Sequence, residues 1–394
     1  MEIVAALEYL IAFFSLFSVS FFILLFLRHR NDYLKTPPGR NWQPTVSIVI
    51  PAYNEAAYIA NSIRSLLTVD YPHDKLEIIV VDDGSTDDTY KIAKSFQDNV
   101  VKAFTKKNGG KGAALNFGIA KAKGELVATM DADSYLSPDV IKEMLPLFDE
   151  PDVMAVTPAV KVRASDSWLK ELQRVEYLMI LFSRKLLSFI DSVPVTPGPF
   201  SMFRAEVFRK VGGFDERNLV EDQEMALRIQ AHNYRIRSSL TAAVYTEPPD
   251  NMGDLMRQRV RWQRGGFRNY WKYRYMIKPE YGDFGMYFIP LNFLSITAFF
   301  LLLRLMLNAI FFPPYYIRYV WLEAFGLDIG LFTFVGTFVI ITSLIFLYLA
   351  VKSFKDETVK LRYFFGFLLF YWYMMICYNV LTVVKELRRE PDSW

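Results

Sequence analysis

Glu77-Ile78-Ile79-Val80-Val81-Asp82-Asp83-Gly84-Ser85 decides how the first half of this chain folds. A run rich in β-branched side chains favours a buried strand, and it halts at two acids and a glycine that permits a tight turn. The pattern recurs on either side. Val46-Ser47-Ile48-Val49-Ile50 is a β-rich run ending at Pro51, and Leu126-Val127-Ala128-Thr129-Met130 is another, ending at Asp131. Helix-like stretches at 56–67 and 88–95 lie between the runs. This α/β alternation predicts a mostly parallel sheet covered by helices on both faces. Ligands of such sheets sit at the carboxyl ends of the strands, where Asp82-Asp83 and Asp131-Ala132-Asp133 stand.

The 394 residues have room for one large domain and a membrane region. Apolar residues make up 52% of the chain and phenylalanine occurs 34 times, which is high for a soluble enzyme. A net charge of +3 gives no case for a nucleic-acid partner. Cys377 stands alone in an apolar run, which excludes an intramolecular disulfide and a zinc site built from several cysteines.

Residues 3–27 are almost uncharged and end in Arg28-His29-Arg30. A cleaved signal peptide has the reverse order, so the segment reads as a retained transmembrane helix with its basic end inside. That places the polar domain that follows in the cytoplasm. Further apolar stretches at 284–312, 329–351 and 364–384 are each long enough for a roughly 30 Å hydrocarbon core; the first carries Arg304. The loop 352–362 holds four basic residues and belongs inside. A third crossing after it puts Lys385-Glu386-Leu387-Arg388-Arg389 outside, against the positive-inside rule. Two amphipathic stretches, 168–190 and 257–275, suit the headgroup layer or the core of a domain. In the first, Lys170, Arg174, Arg184 and Lys185 are expected on the surface. The chain thus divides into a transmembrane helix (1–30), a catalytic domain (45–250), interfacial helices (251–283) and C-terminal transmembrane helices (284–394).

Several clusters fit sugar transfer from a nucleotide diphosphate donor. Asp131 and Asp133 can hold Mg2+ or Mn2+, which would neutralise charge on the leaving diphosphate; the same spacing also serves turns and helix caps. Lys111, in Asn108-Gly109-Gly110-Lys111-Gly112, enters a helix from a glycine-rich loop and suits a phosphate. Glu221-Asp222 opens a helix, where acids favour the dipole, and Asp222 also suits a general base for an acceptor hydroxyl. In Gln258-Arg259-Val260-Arg261-Trp262, Arg261 can bind a diphosphate while Trp262 stacks on an acceptor sugar or anchors in an aromatic belt.

The ordered set resembles the membrane-embedded family 2 glycosyltransferases, the group of cellulose, chitin, hyaluronan and poly-N-acetylglucosamine synthases. The match comprises Pro51-Ala52-Tyr53-Asn54-Glu55, Asp82-Asp83-Gly84-Ser85, Gly110-Lys111-Gly112 with Asn116, Asp131-Ala132-Asp133, Thr196-Pro197-Gly198-Pro199-Phe200-Ser201, Glu221-Asp222 and the Gln258–Trp262 pentad. The resemblance implies a GT-A domain on interfacial helices and a small transmembrane bundle. It implies a UDP-sugar donor, with Tyr53, Glu55, Asp82 and Asp83 at the uridine and Lys111 at the diphosphate. Asp131 and Asp133 would hold the donor and its metal, and Asp222 would be the base. Gln258, Arg261 and Trp262 would close over the donor and acceptor, while Phe200 and Ser201 would line the acceptor site. Transfer would invert the anomeric centre by single displacement.

Three functions compete at this level. The first extends a β-linked polysaccharide, with or without extruding it; the second adds one sugar to a lipid acceptor; the third binds or transports sugar without catalysis. Only one N-terminal span is clear, so a polymer channel would call for a partner subunit or a homo-oligomer. The intact acidic and basic motif residues speak against the third.

Overall fold

The computed structural model describes residues 2–35, 42–163, 166–311, 331–354 and 356–390. The chain enters through helix α1 (Glu2–His29). It then alternates: β1 (Val46–Ala52), α2 (Ile59–Leu67), β2 (Leu76–Asp82), α3 (Thr89–Ser95), β3 (Val101–Thr105), α4 (Lys111–Ile119), β4 (Leu126–Thr129). The expected strands and helices of this half are all present, and all seven residues of β1 are buried, as a strand covered on both faces requires. Ile48, Ile50, Ile78 and Val80 face Ile59, Ile63 and Leu66 of α2. Val49, Ile79, Val81 and Val127 face the other way, onto Ala114 and Leu115 of α4. The alternation is that of the pleat.

The second half comprises β5 (Ser134–Leu136), α5 (Val140–Met144), β6 (Val153–Val162), α6 (Trp168–Ser188), β7 (Ser201–Arg204), α7 (Glu206–Lys210), α8 (Glu221–Ala231) and β8 (Arg235–Thr246). The eight strands form one sheet in the order β3-β2-β1-β4-β7-β6-β8-β5. β3, β2, β1 and β4 are parallel, as is the β6–β8 pair. β7 runs antiparallel to both β4 and β6, and β5 runs antiparallel to β8. The sheet is therefore more mixed than the βαβ rhythm implies. The reason lies in the chain path: the loop before β7 already sits at the carboxyl end of β4, where Asp131 donates its backbone N–H to Gly198 (3.1 Å), so the strand can only run back.

Helix α9 (Met252–Lys272) follows, then α10 (Ile289–Phe311), α11 (Leu331–Lys352) and α12 (Leu361–Leu387). Among the described residues, α12 alone is long and apolar enough by itself to cross a membrane; shorter apolar segments cover Phe13–His29, Phe284–Phe300 and Thr337–Lys352. These helices meet the domain in two ways. The C-terminal parts of α1 and α11 touch α6 through tilted ring contacts, Phe26–Phe182 (5.6 Å) and Phe182–Phe346 (5.2 Å), while Phe13 and Ile340 further out are 66% and 63% exposed. Helix α12, in contrast, is held along its length. Tyr371 and Met374 pack with Leu172 of α6 and Leu255 of α9, and fifteen residues after Tyr371 the Glu386 carboxylate accepts from Nε of Arg264 in α9 (2.8 Å). At 1.5 Å per residue that contact runs for roughly 20 Å.

One expectation fails on α6. Lys170, Arg184 and Lys185 are buried rather than on its surface. The helix is covered by the sheet on one side and by α1, α11 and α12 on the others, so it has little open surface to offer.

Candidate active site

Two cavities meet at the carboxyl end of the parallel strands. The larger, about 630 Å³, opens between the turns after β1, β2 and β4. The turn after β1 contributes Tyr53 and Glu55. It is tied to the turn after β2 by Asn54: its N–H donates to Ser85 Oγ (2.9 Å), and its Oδ1 accepts from the Thr86 N–H (2.9 Å). Gly84, at φ +77°, makes that second turn possible.

The two acids after β2 have different tasks. Asp83 lines the cavity, and its carboxylate accepts from Lys106 Nζ (2.6 Å) and from the N–H groups of Gly109 (3.1 Å) and Gly110 (2.7 Å). It thus pins the glycine-rich loop in place. Asp82 points elsewhere, accepting from Thr105 Oγ1 (2.7 Å) and the Ser85 N–H (3.2 Å), and does not line the cavity. Asn116 is likewise a brace. It exchanges hydrogen bonds with the backbone of Phe214 and holds Glu216, another lining residue.

Asp131 and Asp133 both line this cavity. Burial and the neighbouring Asp131 push the Asp133 carboxyl up to about 6. Burial, with Asp133 and Asp131 adding, pushes Glu55 up to about 7. Clustered hard oxygen donors of this kind suit Mg2+ or Mn2+. Among the described residues no group of three or more His, Cys, Asp or Glu side chains is placed to hold a metal unaided. Two carboxylates would therefore supply part of a shell that a diphosphate and water would complete.

Lys111 stands at the N-terminus of α4 with its ammonium 2.6 Å from Asp131 and 3.2 Å from Glu221. Despite its burial, those carboxylates raise its pKa, so it stays charged. Gly198 passes so close that a Cβ there would lie 2.6 Å from Lys111 Nζ and 2.7 Å from Asp131 Oδ2. The loop 196–198 also reaches Asp222: Thr196 Oγ1 donates to its backbone carbonyl (2.8 Å), and the Gly198 N–H donates to its carboxylate (3.3 Å).

The smaller cavity, about 280 Å³, lies beyond that loop and is mostly apolar. Asp222 and Trp262 line it together with Tyr177, Pro197 and Tyr270. Burial and the adjacent Glu221 push the Asp222 carboxyl up to about 6, against the pull of Lys111 and Arg261. Trp262 stacks over Arg259, whose guanidinium lies 4.3 Å from the ring and pairs with Glu176 (3.1 and 2.5 Å). Arg261 donates to the Leu219 carbonyl (3.2 Å), and Gln258 Oε1 accepts from Arg259. Neither of these two lines either of the two cavities. Nor does Phe200, which is fully buried in the core, or Ser201, which belongs to β7; the prolines on either side of Gly198 line the wall instead.

The structure thus brings Tyr53, Glu55, Asp83, Lys111, Asp131 and Asp133 to one cavity and Asp222 and Trp262 to the other. Tyr177, Arg184 and Tyr270 line the second without having been singled out as site residues. The only sequence signal for them was the amphipathic character of their helices.

A mixed α/β sheet with acidic turns at its carboxyl edge and a half-buried acid across a loop is a GT-A-type arrangement. Residues 47–212 match Glycosyl transferase family 2, and this segment is a family 2 glycosyltransferase domain. The chain is similar to a poly-beta-1,6-N-acetyl-D-glucosamine synthase of Staphylococcus epidermidis, 26% identical over 89% of this chain and 85% of the relative. The enzyme of that name from Staphylococcus aureus is 29% identical over 56% of this chain and 54% of the relative. Among solved structures, a mannosyltransferase from Pyrobaculum calidifontis, in complex with GDP-Man and Mn2+, matches 98% of this chain and all of that one. Its TM-score is 0.67 at 21% identity, a likeness of fold.

Proposed function

We propose that the chain is an integral membrane, inverting glycosyltransferase that moves a sugar from a UDP-sugar to a glycan or lipid-linked acceptor. One observation carries the reading: Asp222 lines the apolar cavity while its neighbour Glu221 shares Lys111 with Asp131 of the polar cavity. The donor diphosphate occupies the polar cavity, with its base near Tyr53 and Asp83. Asp131 and Asp133 would hold Mg2+ or Mn2+, which supplies charge neutralisation for the leaving diphosphate. Lys111 adds a second positive charge at the same place. Asp222 accepts the proton of an acceptor hydroxyl as its oxygen bonds to the anomeric carbon. The bond to the nucleoside diphosphate breaks with its electron pair leaving on the diphosphate oxygen. Arg261 and Gln258 lie on the helix that carries Trp262, and their part is to close over the bound donor.

Extension of a β-linked polysaccharide is the first form of this activity, and the likeness to poly-N-acetylglucosamine synthases over most of the chain supports it. Transfer of one sugar to a lipid acceptor is the second. The small volume of the acceptor cavity, about 280 Å³, and its apolar walls favour it. Membranes containing the protein, incubated with Mg2+ or Mn2+ and radiolabelled UDP-sugars, separate the two. Label in high-molecular-weight glycan supports extension, and label confined to the lipid extract supports single transfer. Absence of label with every UDP-sugar, but transfer from another nucleotide sugar, would refute the uridine assignment.

In the membrane, α1, α10 and α11 cross, and α12, although long and apolar enough to span by itself, lies along the interfacial helices α6 and α9. The long flank that α12 shares with these helices supports this arrangement, as does the outward apolar row Phe365, Leu369 and Tyr373. It keeps Lys385 to Arg389 on the same side as the loop 352–362 and satisfies the positive-inside rule. In a Cys377→Ser background, a cysteine at Arg389 should react with an impermeant thiol reagent from the catalytic side only. Labelling from the opposite face would contradict the arrangement.

A further inference from the structure

The acceptor cavity contains a charge that the reaction just described does not use. Arg184, in the last third of α6, is 3% exposed and lines the cavity that Asp222 and Trp262 share. Its Nη2 donates to the Pro158 carbonyl (3.2 Å), and its Nε has no hydrogen-bond partner. Among the described residues no carboxylate pairs with it. The other two buried arginines differ: Arg259 is paired with Glu176, and Arg264 with Glu386.

A buried guanidinium with no paired carboxylate is costly, because burial removes hydration that the single Pro158 carbonyl replaces only in part. Burial holds its pKa down, to about 10, and Asp222, which lines the same cavity without pairing with it, offsets this only in part. An apolar side chain of similar length would fill the same space at less cost. Retention of the charge makes sense when a ligand supplies the anion. The cavity also describes that ligand. Its walls include Val160, Ile180, Leu181 and Val195, which suit an apolar chain. Helix α6 runs from it to the contacts with α1 and α11, the membrane-facing helices.

We infer that Arg184 is an anion-recognition residue of the acceptor site, and that the acceptor is a membrane amphiphile bearing a phosphate group. Its hydroxyl meets Asp222, its phosphate meets Arg184, and its apolar part follows Ile180 and Leu181 toward the bilayer. Guanidinium and phosphate match in charge and in bidentate geometry. Phosphate is also the anion that membrane lipids ordinarily carry. The inference rests on the lipid-acceptor form of the proposed function and on Asp222 as its base.

The test uses the full chain in nanodiscs of zwitterionic lipid, with a nucleoside diphosphate and Mg2+ saturating the donor cavity. Binding of decyl phosphate, decanol and inorganic phosphate is measured by titration calorimetry on the wild type, Arg184→Gln, Arg184→Lys and Asp222→Asn. Decyl phosphate should bind at least tenfold more tightly than decanol. Arg184→Gln should erase that preference, Arg184→Lys should restore part of it, and donor affinity should be unchanged in both. Equal binding of decyl phosphate and decanol, or a preference that survives Arg184→Gln, overturns the inference. Inorganic phosphate binding as tightly as decyl phosphate would overturn its lipid part and point to a free phosphate ligand. Lowered melting temperature and lost donor affinity in both Arg184 variants would make the residue structural, and would also overturn it. Asp222→Asn should retain the phosphate preference while losing transfer; if it transfers normally, the base assignment fails instead.

Discussion

The two cavities lie on either side of one loop and differ in almost everything else. The donor side is polar, built from turns at strand ends, and Asp83, Lys111 and Asp131 in it are braced by backbone N–H groups or by opposite charges. The acceptor side is apolar, built from helices and prolines, and it holds one half-buried acid, Asp222, and one buried arginine, Arg184, that are not paired with each other. Gly198 separates the two, with its carbonyl on the Asp131 backbone and its N–H on the Asp222 carboxylate. The difference teaches that donor binding and acceptor activation are separable properties of this fold.

The largest expected effect breaks one side only. Asp222→Asn should lower the transfer rate by about a thousandfold, within the range of a lost general base, with donor affinity intact. Single-turnover transfer checks it, and a rate within tenfold of wild type would show that another group takes the proton. Gly198→Ala should damage both sides together. The added methyl meets Lys111 and Asp131, so donor affinity and turnover should each fall by about tenfold or more, with a lower melting temperature. Intact donor affinity in that variant would mean that the loop moves freely and does not couple the cavities.

Asp133→Ala sharpens the comparison from the donor side. It should weaken metal-dependent donor binding by roughly tenfold while leaving acceptor binding alone, and an unchanged metal requirement would count against the site. The smallest effect is one of pH. The Asp222 carboxyl is raised to about 6 in the free protein, and a base works only when deprotonated. Free-enzyme kcat/KM for the acceptor should therefore be flat above that pH and fall tenfold per unit below it. A flat profile down to pH 5 would contradict Asp222 as the base.

How much of this was legible in the sequence follows the same division. The parallel half was readable because β1 and β2 are buried on both faces and appear as apolar runs interrupted only by Ser47 and Glu77, each ending in an acidic or glycine-bearing turn. Motif residues on that side were found where the turns place them. Asp82 is the instructive exception: adjacent acids look equivalent in a sequence, but successive residues leaving a strand point to opposite sides, and only Asp83 reaches the cavity. The antiparallel β7 was not legible, because its direction depends on where the preceding loop is anchored rather than on its own four residues. The acceptor cavity was the least legible. Arg184 and Lys185 look like the polar face of an amphipathic helix, and only the packing of α1, α11 and the sheet around α6 shows that no such face exists.

The most direct test of the two-cavity account is a donor titration on Asp222→Asn and Trp262→Ala beside the wild type, with Mg2+ or Mn2+ present. The account predicts donor dissociation constants within about threefold of wild type for both variants, alongside the thousandfold loss of transfer in Asp222→Asn. Donor affinity falling in step with transfer in both variants would contradict it, because the apolar cavity would then be part of the donor site.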